Sequence, residues 1–220
     1  MGADEREWAA IASTNTHPGV FVAYCSNTLT CTARLWNIAA AASRPVPGSA
    51  HAANLAISAG PAGRLWIAWF NPNNNDVSIV RTNKADTAFS AVNTYKTPCI
   101  EHDLLGLSGG QLGRVTIALQ CPNAQAKLEE FFTQSVVRLT IAPSSLSVMN
   151  TATHIVKFRV TDVGDPVVGA TVVWHGHVGH TNGSGFVAVV VPKGTAPGAY
   201  PVVASAANYT SAQAVLTVVR

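Results

Sequence analysis

"LAISAGPAGRLWIA" occupies residues 55–68 and "LGLSGGQLGRVTIA" occupies residues 105–118. Seven of the fourteen positions are identical at a spacing of 50: Leu55/Leu105, Ser58/Ser108, Gly60/Gly110, Gly63/Gly113, Arg64/Arg114, Ile67/Ile117 and Ala68/Ala118. A fainter copy, "AIASTNTHPGVFVAY", lies 45 residues upstream and sets Ser13 against Ser58 and Ala23 against Ala68. A period of roughly 45–50 residues with several short strands per unit is the mark of propeller blades.

The second unit reads as four strands. "NLAIS" (54–58) is followed by a Gly/Pro turn, and "RLWIAWF" (64–70) alternates with period 2. "NPNNND" (71–76) contains only turn formers, "VSIVRTN" (77–83) is a third strand, and "FSAVNTYK" (89–96) a fourth. An isolated sheet of this kind is marginal, because it buries its faces only against neighbouring sheets.

These units resemble the blades of sialidase-like (Asp-box) propellers, over roughly residues 8–135. Blades of that family often carry S-x-D-x-G-x-T-[FW] before the fourth strand. Here "TNKADTAF" (82–89) keeps a hydroxyl first and an aromatic last, with Lys84 in place of Asp and Asp86 in place of Gly. Closed propellers have about 4–8 blades, and this span holds about 2.5. The resemblance therefore implies an incomplete propeller-like set of blades: a piece of a longer protein, or a set completed by further copies of the chain. Another β-sandwich or open stack would also accommodate the strands. The family's catalytic residues find no matching positions here.

In a propeller, the loops joining second to third strands share one face with the loops between blades. The resemblance gathers Asn71, Asn73, Asn74, Asn75, Asp76, His51 and Asn54 there, flanked by Trp36, Trp66, Trp69 and Phe70. Amides both donate and accept hydrogen bonds, and aromatic rings stack on sugar faces, so this rim is expected to bind a glycan. Turn geometry alone also favours Asn. Cys25, Cys31, Cys99 and Cys121 fall on the same face. The expected pairs are Cys25–Cys31 and Cys99–Cys121, although four cysteines allow three pairings. Glu101, His102 and Asp103 form the dense acid/base cluster at a blade entrance and are the candidate catalytic groups if the protein is a glycosidase.

From about residue 136 the texture changes. Strands "HIVKFRVTD" (154–162), "ATVVWHG" (170–176), "FVAVVVP" (186–192), "AYPVVASA" (199–206) and "AVLTVV" (214–219) recur with turn signals every 8–12 residues, as in a β-sandwich. Asp162, Gly164, Pro166, Val167, Gly169, Ala170 and Val172, then Thr181, Asn182 and Gly185, then Pro192, Gly194, Gly198, Tyr200 and Tyr209 resemble bacterial Ig-like or carboxypeptidase-regulatory-like domains. That resemblance implies a spacer, stalk or docking module. The expected organisation is thus all-β: blade repeats with two disulfides over 1–135 and an Ig-like sandwich over 136–220.

"WHGHVGH" (174–180) sets His175, His177 and His180 within six residues. Read as a continuing strand, it puts His175 and His177 on the face opposite Trp174, ~6–7 Å apart, with His180 near the following turn. Three imidazoles could hold zinc. No carboxylate or thiol neighbours them as a fourth ligand, so a solvent-facing strand end is the stronger expectation, and no cofactor is expected.

Composition limits the remaining classes. Charged residues make up 11% and hydrophobic residues 48%, with a net charge of +3. No basic cluster marks a nucleic-acid footprint, and no apolar run reaches the ~20 residues of a membrane helix. "MGADEREW" lacks a signal-peptide core and could be a natural start or the start of a mature fragment. An even cysteine count without C-x-x-C spacing favours disulfides and an oxidising compartment. The expectation is an extracellular or cell-surface, non-enzymatic binding, adhesion or spacer protein, with glycan or another surface protein as partner. A fragment of a sialidase-like glycoside hydrolase and a structural subunit of an extracellular filament or virion are the alternatives.

Overall fold

The computed structural model describes residues 9–13, 20–25, 31–99, 104–110, 113–122 and 128–220. The chain divides into two compact units, Met1–Ser135 and Val136–Arg220. Both are built from strands.

In the first unit, β1 (Ala9–Ser13), β2 (Val20–Cys25), β3 (Thr32–Asn37) and β4 (Ala42–Ala50) form an antiparallel meander in chain order. β5 (Ala53–Ala59), β6 (Leu65–Asn71), β7 (Asp76–Arg81) and β8 (Asn93–Lys96) form a second. β9 (Leu104–Ser108), β10 (Arg114–Pro122) and β11 (Leu128–Val136) form a third sheet of three strands. The first strands of the three sheets lie side by side, β1 against β5 and β5 against β9. The repeat seen at 55–68 and 105–118 thus corresponds to the first two strands of successive sheets.

Burial shows how the sheets stack. β2 and β3 alternate, with Phe21, Ala23, Ala33 and Leu35 buried and their neighbours partly or well exposed. β6 and β7 do not alternate: Leu65–Phe70 and Asp76–Arg81 are buried without a break. A strand covered on one face alternates, and one covered on both faces does not. Leu65, Ile67, Trp69 and Val80 share one apolar cluster with Phe21, Ala23 and Leu35 of the first sheet. By period 2, Trp66, Ala68 and Phe70 face the other way, where β9 approaches β6. The middle sheet is the core of the unit.

The turn before β8 closes on its own side chains. Thr82 Oγ1 accepts from the Leu65 N–H at 2.9 Å and donates to Asp86 Oδ1 at 2.7 Å. Asn83 Oδ1 accepts from the N–H groups of Thr87 and Ala88 at 2.8 and 3.2 Å. Asp86 takes φ +52°, the backbone state that glycine favours. The Lys84 side chain stays exposed.

The second unit is a two-sheet β-sandwich. β12 (Thr140–Ala142), β14 (His154–Asp162), β15 (Asp165–Pro166) and β18 (Phe186–Val191) make one sheet. β13 (Ser145–Met149), β16 (Thr171–Trp174), β17 (His177–His180), β19 (Gly198–Ser205) and β20 (Ala212–Val219) make the other, in the order β13-β20-β19-β16-β17. β13 runs parallel to β20. β14, β18 and β20 alternate buried and exposed, so each lends one face to a core built on Phe158, Trp174, Val202 and Leu216. Residues of the Ig-like pattern close its corners. Tyr209 Oη donates to the buried Asp162 carboxylate at 2.8 Å. Thr181 Oγ1 donates to Val167 O at 2.6 Å and accepts from the Ala170 N–H at 2.9 Å.

The histidine segment departs from the strand reading. His175 and Gly176 take φ +45° and +79°, the pair of left-handed residues that a two-residue hairpin turn requires. The chain therefore reverses at 175–176, and His177 pairs with Trp174 across the hairpin. The His177 ring stacks on the Trp174 indole with centroids 5.8 Å apart, while His175 meets Tyr200 edge-on at 4.8 Å. His180 sits at the far end of β17, opposite Thr171. The three imidazoles do not converge.

Candidate functional site

Chain reversal dictates what gathers at each end of the first unit. β2 ends and β3 begins where β4 hands over to β5, and the same end receives the 71–76 loop, the end of β8 and the end of β10. The two disulfides, Cys25–Cys31 and Cys99–Cys121, brace this end, and they are the expected pairs. Cys25 Sγ lies 3.6 Å from Ala52 O, and the Ala52 N–H donates to Cys31 O at 3.2 Å. The first bridge is thereby fixed to the turn that carries His51.

The asparagine loop largely satisfies itself. Asn71 Oδ1 accepts from the Asn73 N–H at 3.0 Å, and Lys96 Nζ donates to Asn74 O at 2.8 Å. The Thr97 N–H donates to Asn75 O at 3.1 Å. Asn75 takes φ +50°, as a tight loop demands. His51, Asn73 and Asn74 are exposed on this rim, and Asn71 and Asn75 are half-buried.

Five residues expected on or beside the rim do not present themselves to solvent. Trp66, Trp69 and Phe70 are buried because β6 is covered on both faces, with Trp69 packed toward β2 and β3. Asn54 is buried in a bulge where the register between β5 and β6 shifts. Asp76 is buried at the head of β7, with Lys96 Nζ 3.6 Å from its carboxylate. Glu101, His102 and Asp103 lie outside the described residues, as do 26–30 and 123–127. No group of three or more His, Cys, Asp or Glu among the described residues could hold a metal.

Trp36, expected to flank the rim, stands instead on a second feature. On the outward face of the first sheet, Val22, Tyr24, Trp36, Ala41 and Ser43 surround a concavity of about 440 Å³. Trp36 is 39% exposed there. The signal was present: Val22, Tyr24, Arg34 and Trp36 occupy the off-phase positions of two alternating strands.

No protein-family model and no curated protein matches the chain. Solved structures align with it at low similarity. The fibronectin(III)-like modules of Clostridium thermocellum CbhA share 16% identity over 66% of this chain and 86% of theirs, with a TM-score of 0.26. The tandem Ig domains of titin share 12% over 74% and 95%, at 0.28. A Ca2+-stabilised adhesin of an Antarctic bacterium shares 10% over 97% and 74%, at 0.26. At these TM-scores the fold rests on the sheets described above. None of these three is a sialidase-like propeller.

Proposed function

We propose that this chain is an extracellular or surface-exposed, non-enzymatic binding protein. Its first unit is a set of blade-like sheets whose braced end recognises a glycan, and its second unit is an Ig-like spacer or docking module. One observation carries the reading: both disulfides and the His51 and 71–76 turns collect at the same end of a stack whose middle sheet is buried on both faces. A rigid scaffold with covalently tied loops at one end is an economical way to hold a recognition surface. The two bridges fit an oxidising compartment. No helix among the described residues is long and apolar enough to cross a membrane.

A glycan array probed with the whole chain tests the proposal. Binding to a defined sugar set, weakened by replacing Asn73 and Asn74 together with Ala, is the expected result. Silence across the array would remove the glycan reading.

A second reading has its own observation. The third sheet has three strands among the described residues, where the first two have four. A strand from another copy could complete it in an assembly. Light scattering on the full chain distinguishes the two, since a fixed-stoichiometry assembly supports completion and a monomer contradicts it.

A further inference from the structure

The outward face of the first sheet has the chemistry of a site. Register sets Trp36 between Val22 on β2 and Ser43 on β4, and sets Arg34 beside Tyr24 on the same face. The concavity of about 440 Å³ is of small-ligand size, the usual range being ~300–1,000 Å³. One wall is aromatic. Arg34 lies beside the concavity, paired with Tyr24, and is fixed to the lining Ser43: Ser43 Oγ accepts from Arg34 Nε at 3.2 Å and Nη2 at 3.0 Å, and Ser43 O accepts from Nη2 at 3.5 Å. These contacts hold the guanidinium along the sheet through Nε and Nη2 and leave Nη1 able to donate.

Charge selects the occupant. No Asp or Glu occurs between Trp8 and Asn75. Arg34 and Arg44 are therefore the only acidic or basic side chains of Lys, Arg, Asp or Glu type in the first sheet. An apolar partner laid over Arg34 would bury its charge without a counter-charge, which is costly. An anion with a flat apolar side satisfies both the aromatic wall and the neighbouring guanidinium. We propose that this face binds a hexuronate residue of an acidic polysaccharide. The C–H face of the pyranose stacks on the Trp36 indole, and the ring carboxylate accepts from Arg34 Nη1. The site lies on a sheet face, apart from the braced rim, and stands whether or not that rim binds sugar.

Calorimetric titration of the full chain with an oligogalacturonate tests the assignment. The expected result is saturable binding, at least about tenfold weaker in Trp36→Ala and in Arg34→Gln. A neutral cello-oligosaccharide of equal length should also bind at least about tenfold more weakly than the uronate. Thermal melts of both variants report that each is folded. Absence of oligogalacturonate binding by the folded wild-type chain overturns the proposal. So does affinity unchanged in both variants, or equal affinity for the neutral sugar. Equal binding of dextran sulfate would show attraction to any polyanion and defeat the carboxylate assignment. A dimer broken by Trp36→Ala would give the face to a second copy instead.

Discussion

The Ser58 hydroxyl accepts a hydrogen bond from the Gly109 N–H at 3.2 Å, and the Trp66 indole closes over the same glycine. Ser58 is the penultimate residue of the first strand of the middle sheet, and Gly109 follows the first strand of the next. One repeat is therefore pinned to its successor at the point where both copies turn.

That contact gives a sharp substitution test. A Cβ on Gly109 would stand 2.7 Å from Trp66 Cδ1, whose ring is held in the core. Gly109→Ala should cost about 1–3 kcal/mol of stability, as overpacking does. Gly110 has nothing within 4 Å of its Cβ position, so Gly110→Ala should leave the melting temperature nearly unchanged. Equal effects of the two substitutions would contradict the packing.

The bridges should differ in worth. Cys99–Cys121 closes a loop with a sequence separation of 22 and Cys25–Cys31 one of 6. Chain-entropy reasoning gives about 3 kcal/mol for the longer and about 2 kcal/mol for the shorter. Denaturant melts of the two double Cys→Ser variants check this order. A larger loss from removing the shorter bridge would show that its tie to the Ala52 turn matters more than loop length.

In the sandwich, Gly185 has φ +78° and its Cβ would lie 2.7 Å from Val160 O. Gly185→Ala should destabilise by about 1–3 kcal/mol from backbone strain alone, with the clash added. Gly183→Ala, two residues earlier and with open space at Cβ, serves as the control. Chemical denaturation should separate the two clearly.

His175 and His177 both pack on Trp174, whereas His180 stands at the far end of β17 opposite Thr171, so the three imidazoles do not form one ligand set. Micromolar zinc should therefore leave the melting temperature where it is. A zinc-dependent rise abolished by His177→Ala would overturn this reading of the segment.

The second sheet was readable because each of its strands is bounded by turn chemistry: Gly60 and Pro61 before β6, and Asn71 to Asn75 before β7. The Ig-like pattern was readable because Asp162, Thr181, Gly185 and Tyr209 each do a local job with fixed geometry. Burial on both faces was harder to see. "LWIAWF" mixes large and small apolar residues, and periodicity cannot show whether Trp69 lies on a rim or between layers. The histidine segment misled for a different reason. His175 adopts a left-handed backbone that single-residue patterning does not anticipate, and only the hairpin context supplies it. Trp36 was legible as an exposed aromatic, but its place on the outward face of β2 and β3 depends on which face of the sheet is covered, and periodicity does not fix that.

Hydrogen exchange on the whole chain, resolved by segment, tests the stacked architecture most directly. Amides of Leu65–Asn71 and Asp76–Arg81 should be the slowest in the first unit, well behind those of the exposed β4. Exchange in β6 as fast as in β4 would mean that the middle sheet is not covered on both faces, and the stack would be wrong.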